Sequence, residues 1–412
     1  MIKLALPLFV ALAYAPVQVL AATPLLAGDL NALTVFSDTY TTTGANSIVY
    51  GSILAGGVST TGAGAAVYGN LTSVGAANTG GAASTVSGSI VTGGVATTGD
   101  GSRIGGSITS SGASTIGANA TVGVNMVSGG ALTTGANSSV AGSIVSGGAA
   151  TIGANSRVTG SVSAAGALTV SAAVGTATGS LFPSVPSVLV PTILTANLAA
   201  NVVSDVAAVA AAKAALSKMT STGTIGVANI AASMTFAPGV YTTSSYLTTT
   251  AGTTITLDGQ GLADQSWVFN IGGYLTTGAS TKIVLINAGK GDSVIWNTGG
   301  YASLGASSDF IGTILANTYI SVGADAAATA LSGSTTACGG LYSQTSYVST
   351  GAGAIIGGSG CAGAGNGFSI GDDGKAFHIS SVISAVPEPE TYGMLLAGLG
   401  MIGFMARRKK QA

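Results

Sequence analysis

Few side chains in this sequence could carry out covalent chemistry. Acid–base cleavage of a sugar or ester bond needs two carboxylates, or a carboxylate and a base, held together in a cleft. Here Asp258, Asp264, Asp292, Asp309 and Asp325 fall singly at turn-like stretches, and His378 is the sole histidine. Asp372 and Asp373 near it read as a solvated turn rather than metal ligands. The stretches Gly351-Ala352-Gly353 and Gly363-Ala364-Gly365 lack the strand-to-helix context and the lysine of a phosphate-binding loop. The expectation is therefore no catalytic group, no metal and no cofactor.

What recurs at fixed spacing is hydroxyls. From Thr42 onward one phrase returns every eighteen residues, as Thr42-Thr43-Gly44-Ala45, Thr60-Thr61-Gly62-Ala63, Thr97-Thr98-Gly99, Thr115-Ile116-Gly117-Ala118, Thr133-Thr134-Gly135-Ala136 and Thr151-Ile152-Gly153-Ala154, with a degenerate copy at Asn78-Thr79-Gly80. After residue 240 it reappears behind tyrosine, at Tyr246-Leu247-Thr248, Tyr274-Leu275-Thr276, Tyr301-Ala302-Ser303, Tyr319-Ile320-Ser321 and Tyr347-Val348-Ser349, with spacings of 28, 27, 18 and 28 residues. Period-2 alternation puts Leu132, Leu168, Ile116, Ile152, Leu247, Leu275, Ile320 and Val348 inward. Thr42, Thr60, Thr97, Thr115, Thr133, Thr151, Thr248, Thr276, Ser303, Ser321 and Ser349 are then outward, in one charge-free column. Two readings of that column stay open. It either orders water at its surface, with spacings of ~4.8 Å and ~6.6–7 Å near ice-lattice repeats, or it bonds across neighbouring strands or lies under a cover.

The elements that would position such a column follow from the same period. Val49, Val67, Val86, Ile104, Val122, Val140 and Val158 form one apolar column, and Ile53, Leu71, Ile90, Ile108, Met126, Ile144 and Val162 form another four residues on. β-Branched columns punctuated by Gly and Ser predict three short strands and three corners per coil, a triangular all-β solenoid. Asn46, Asn119, Asn137 and Asn155 sit where a corner needs a left-handed residue. Residues 22–182 form the regular run. Pro183, Pro186 and Pro191 then break the chain before an Ala-rich helix, Thr192 to Met219. Leu194, Leu198, Val202, Val206 and Val209 share one face of it, with Asn201, Asp205 and Lys218 toward solvent. That helix is long enough to lie along the stack. A second solenoid run occupies 220–370, and a linker occupies 371–386.

Charge narrows the partners. The 412 residues hold 12 Lys+Arg against 13 Asp+Glu, 6% charged in all, which excludes a basic nucleic-acid surface. Residues 1–21, with Lys3, an apolar stretch from Leu4 to Leu20 and the ending Val19-Leu20-Ala21, read as a secretory signal peptide. At the other end Pro387-Glu388-Pro389 precedes an apolar run, Tyr392 to Met405, and then Arg407-Arg408-Lys409-Lys410. An apolar segment closed by basic residues suits a tail held transiently in the inner membrane. The three parts in that order resemble the PEP-CTERM sorting signal of Gram-negative bacteria, which implies processing by an exosortase near Pro387 to Pro389 and delivery to the envelope or outside. Cys338 and Cys361, the two cysteines of an exported chain, are candidates for a disulfide clipping an inserted loop, or free buried thiols.

Pro238-Gly239-Val240-Tyr241, Thr254-Ile255-Thr256-Leu257-Asp258-Gly259, Trp267-Val268-Phe269-Asn270-Ile271-Gly272, Val294-Ile295-Trp296-Asn297 and Phe310-Ile311-Gly312-Thr313-Ile314 resemble the ice-binding-protein-like β-solenoid family. The resemblance covers residues 225–358 and implies a right-handed, discontinuous triangular β-helix with one long α-helix packed alongside, adsorbing to an ice crystal surface through a flat face. The first run is unusually long for that family, and its rhythm resembles the polymer-forming bactofilins. A structural or adhesive envelope or biofilm-matrix element is therefore the second expectation.

Overall fold

One coil of eighteen residues cannot bury the apolar side of its own strands; only another coil stacked on it can. The computed structural model shows that stacking. It describes residues 32–358, except 172–175, 178–179, 184–191, 290 and 330–338, together with Leu26, Leu30 and two short strands, Phe368–Ile370 and Ala376–His378. Three parallel sheets run through the stack, one of fifteen strands and two of fourteen. The predicted all-β solenoid with a single long helix is the fold observed.

Chain order and spatial order differ. Strands from Leu33–Ser37 to Leu181–Pro183 run from the middle of the stack to one end, whereas those from Gly223–Thr224 to Ile355–Ile356 run from the opposite end back to the middle. There, Leu33–Ser37 pairs with Leu341–Ser343, Thr41–Thr43 with Val348–Thr350, and Ile48–Val49 with Ile355–Ile356, all parallel. The Ile48 amide donates to the Ala354 carbonyl at 2.8 Å, and the Gly353 amide to Ala45 at 2.8 Å. Coils some three hundred residues apart therefore dock as covalent neighbours do. Each sheet is shared by both runs.

The two apolar columns of the first run are buried along their whole length, from Val49 to Val158 and from Ile53 to Val162. Leu168, predicted inward, is half-buried because its strand closes the stack and has no coil beyond it. The second run has longer strands and fills its wider interior with aromatic rings. Phe269 and Trp296 stack with centroids 4.0 Å apart, and the indole N–H groups of Trp267 and Trp296 donate to the carbonyls of Phe236 and Ile311, each at 3.0 Å. Those two bonds remove the cost of burying a polar ring edge. The corner asparagines Asn46, Asn119, Asn137 and Asn155 are left-handed as expected, with φ between 54° and 56°. Close stacking also explains the repeated glycine two residues before them. A Cβ on Gly44 would lie 2.3 Å from the carbonyl carbon of Gly351 across the junction.

The helix spans Thr192–Ser217 and lies on the outward side of the fifteen-stranded sheet. At 1.5 Å per residue its length is about 39 Å. That matches the ~38 Å spanned by nine strands at ~4.8 Å spacing, from Ile108–Ser110 to Ser266–Ile271 inclusive. Val202, Val209, Ala212 and Leu216 pack on Phe36, Leu54, Val240, Val268, Ile295 and Leu315. Asp205, expected in solvent, is buried, and so is Lys213. Asp205 lies three residues after Val202 and four before Val209, so helical geometry puts it on the inward stripe. Leu26 and Leu30 extend the same cover, and the Tyr342 hydroxyl donates to the Leu33 carbonyl at 2.6 Å.

Candidate functional site

The helix decides which outward surfaces are left. It occupies the fifteen-stranded sheet, so the hydroxyl column lies on an uncovered one. All eleven predicted residues stand in a single register line: Thr248, Thr276, Ser303, Ser321 and Ser349 continue across the junction into Thr42 and Thr60, then Thr97, Thr115, Thr133 and Thr151. Three further members complete the line. Asn78 pairs between Thr60 and Thr97, Thr169 follows Thr151, and Asn229 precedes Thr248. Asn78 belongs to the degenerate repeat, and Asn229 and Thr169 belong to the end coils. Only the register reveals Asn229 as an equivalent of threonine. Fourteen strands give a column ~62 Å long at the spacing of stacked strands.

Among the described residues nothing covers the column, and it bonds across strands only at Thr248. Among the described residues only Thr248 of its threonines and serines has a hydrogen-bond partner in the protein, donating to the Ala228 carbonyl at 3.3 Å and to Asn229 Oδ1 at 3.2 Å. Thr115 and Thr133 are exposed, and the other nine predicted residues are half-buried between their neighbours. On the flanking column Tyr246, Tyr274, Tyr301, Tyr319, Tyr347 and Tyr40 form a continuous ladder, with centroids 4.7–5.1 Å apart and planes within 11°. The ladder crosses the non-covalent junction at Tyr347 and Tyr40. Burial, and then its ring neighbours Tyr301 and Tyr347, push the Tyr319 hydroxyl above the usual tyrosine range. These outward positions carry no charge anywhere along the sheet. The third sheet differs, with Arg103, Arg157, Lys282 and Asp309 exposed on its strands.

The carboxylates have structural work. Asp258, Asp264 and Asp292 come to one corner of the second run. Asp258 accepts from the Gln260 amide at 3.0 Å and from Asn287 Nδ2 at 2.8 Å, bonds that hold its carboxyl below the usual range. Asp292 is buried, which pushes its carboxyl up, while the Gly289 and Gln265 amides donate to it at 2.8 Å each and oppose that shift. No group of three potential metal ligands occurs among the described residues. Asp309 sits on a strand and Asp325 at a left-handed corner, apart from the others. His378 lies in the short strand Ala376–His378. Asp372, Asp373, Cys338, Cys361 and the terminal Pro387, Glu388 and Pro389 lie outside the described residues.

Sequence reasoning missed the one buried cation among the described residues, Lys213. Lys213 Nζ donates to Asn297 Oδ1 at 3.1 Å, to the Leu315 carbonyl at 3.2 Å and to the Thr298 carbonyl. Burial lowers its pKa to about 8. Asn297 Nδ2 in turn donates to the Lys213 carbonyl at 3.1 Å and to Asn270 Oδ1 at 2.8 Å, and Asn270 Nδ2 to the Leu216 carbonyl at 2.8 Å. This network pins the C-terminal end of the helix to two coils beneath a polar groove bordered by Ser217, Thr242 and Ser244. The repeated Asn of Trp267-Val268-Phe269-Asn270 and Val294-Ile295-Trp296-Asn297 was the available signal.

Residues 172–355 match the Ice-binding-like family, and residues 385–409 match the PEP-CTERM protein-sorting motif. Among solved structures, similarity extends to an ice-binding protein of the Antarctic ascomycete Antarctomyces psychrotrophicus, with 24% identity, 53% of this chain and 92% of that one, and a TM-score of 0.33. For the ice-binding protein 1 domain of Shewanella frigidimarina the identity is 19%, the coverage 81% and 96%, and the TM-score 0.41. For an ice-binding protein from an Antarctic biological consortium they are 16%, 83% and 94%, and 0.37. No curated protein matches the sequence.

Proposed function

From a chain whose residues 172–355 form an ice-binding-like domain and whose C-terminus carries a PEP-CTERM sorting motif, we propose that the protein is exported and adsorbs to ice. The adsorbing surface is the uncovered hydroxyl face. The observation that carries this reading is that face: a charge-free register line of twelve hydroxyls and two asparagines along fourteen strands, uncovered among the described residues. Regularly spaced hydroxyls and methyls on a rigid sheet hold water in fixed positions, and binding to a lattice then costs little further ordering. A soluble surface is normally rich in charge, which would disrupt such an array. On this reading the protein does no covalent chemistry and needs no cofactor. Its partners are the ice surface and, during sorting, an exosortase and the membrane that briefly holds the C-terminal segment. Its destination is the cell envelope or the medium of a Gram-negative bacterium.

Thermal hysteresis and ice-recrystallisation inhibition of the purified protein test the reading directly. Wild type is expected to be active, and Thr133→Tyr combined with Thr276→Tyr should abolish activity while leaving the fold intact. Full activity in that folded double variant moves the site to another face. An inactive wild type would leave a structural or adhesive role for the solenoid.

A further inference from the structure

The hydroxyl line is continuous, but the surface on which it lies changes character at the junction. Along the second run the flanking column is the tyrosine ladder, and the hydroxyls beside it are mostly serine: Ser303, Ser321 and Ser349, all half-buried. Each ring has its faces covered by the rings above and below, so the ladder presents a row of phenol edges. A phenol reaches several atoms further from the backbone than a hydroxymethyl group. A planar lattice laid on this half rests on the ridge and stands clear of the serines.

Beyond Tyr40 the flanking column becomes Val58, Ala76, Val95, Ala113, Ala131 and Ala149, and the hydroxyls are Thr97, Thr115, Thr133 and Thr151. Here threonine is taller than its alanine neighbour, and on the other side lies the glycine column. Away from the end coils, the exposed members of the line are Thr115 and Thr133, both in this part. Their β-branched side chains are stiff about χ1, so methyl and hydroxyl are both presented in one repeated orientation. The coils are of uniform eighteen-residue length from Val95 to Ala149, and the flanking column there carries nothing larger than valine.

We infer that ice adsorption, on the reading proposed above, is carried by the Ala–Thr surface from Thr97 to Thr151. This surface lies outside the segment 172–355 that matches the Ice-binding-like family, and the tyrosine ridge bounds it. The domain with the family pattern then serves as the base on which a longer, flatter face is built.

The intact protein can be compared with three variants for thermal hysteresis and recrystallisation inhibition, each checked by circular dichroism and melting. Thr115→Tyr with Thr133→Tyr raises the level of the Ala–Thr surface, and Thr276→Tyr with Ser321→Tyr adds the same bulk beside the ridge. Thr115→Ser with Thr133→Ser removes two methyl groups without adding bulk, and covers the case in which the first variant folds poorly. Loss of most hysteresis in the first variant, with clearly smaller losses in the serine variant and in the second, is expected. Equal loss in both tyrosine variants, loss confined to the second, or no loss in any variant overturns the assignment. Absence of both activities from wild type overturns ice binding itself.

Discussion

At the residue scale, the left-handed corner is the most sharply constrained position in each coil. An L-residue pays about 1–2 kcal/mol to adopt that conformation unless it is glycine or, more cheaply, asparagine. The left-handed residues are accordingly Asn, Gly, Ser and Asp, with two misfits, Ala83 at φ 60° and Gln260 at φ 57°. Ala83→Gly is expected to raise stability by about 0.5–1 kcal/mol, since relief of strain exceeds the added freedom of the unfolded chain. Asn137→Val should have the opposite sign, costing about 1–3 kcal/mol. Urea unfolding of both variants measures the two changes, and a stabilised Asn137→Val protein would contradict the corner argument.

At the scale of elements, the helix owes its placement to an apolar stripe and to the Lys213–Asn297–Asn270 network. Lys213 is a cation whose folded pKa, about 8, lies below the ordinary lysine value of 10.5. Below pH 8 it is charged in both the folded and the unfolded protein. Between about 8 and 10.5 the unfolded chain holds the proton that the folded one has released, so this group makes stability rise with pH across that window. The increment is up to about 3 kcal/mol by the usual conversion. Lys213→Met should flatten the rise. At pH 7 it should also cost about 1–3 kcal/mol, because the Thr298 and Leu315 carbonyls lose a donor. Melting of wild type and variant at pH 7 and pH 10 separates the two effects, and an identical pH response in both would remove Lys213 from the account.

At the scale of the whole molecule, stability depends on a junction that no peptide bond crosses. Stacked repeats gain most of their stability from nearest-neighbour interfaces, and here one such interface joins the first coil of the chain to the last. The helix spans it, with the Thr195 hydroxyl donating to the Gly93 carbonyl at 3.0 Å on one side and Lys213 reaching Asn297 and Leu315 on the other. The two runs should therefore unfold together in one calorimetric transition. Ile356, fully buried and paired next to Val49 at the junction, is the place to test this. Ile356→Asp buries an unpaired charge and is expected to cost more than about 4 kcal/mol. It should also split the transition in two; a variant that still melts in a single step near the wild-type temperature would show that the junction contributes little.

Period and composition by themselves determined the coil: which residues face inward, where asparagine turns the corner, that a long helix follows the first run, and that one column of hydroxyls faces outward free of charge. These are local or nearest-neighbour properties, and an eighteen-residue repeat states them many times over. What tertiary structure alone decided is the order of the coils and the cover. That the chain's first coil sits on its last, making one face of fourteen strands, depends on two stack ends being complementary, and no single repeat encodes this. Which sheet the helix covers was settled by the apolar outward residues of the fifteen-stranded sheet, and the burial of Asp205 and Lys213 followed from that docking. Asn229 joined the line only through register, because a column in space admits any residue that the neighbouring strands bring beside it.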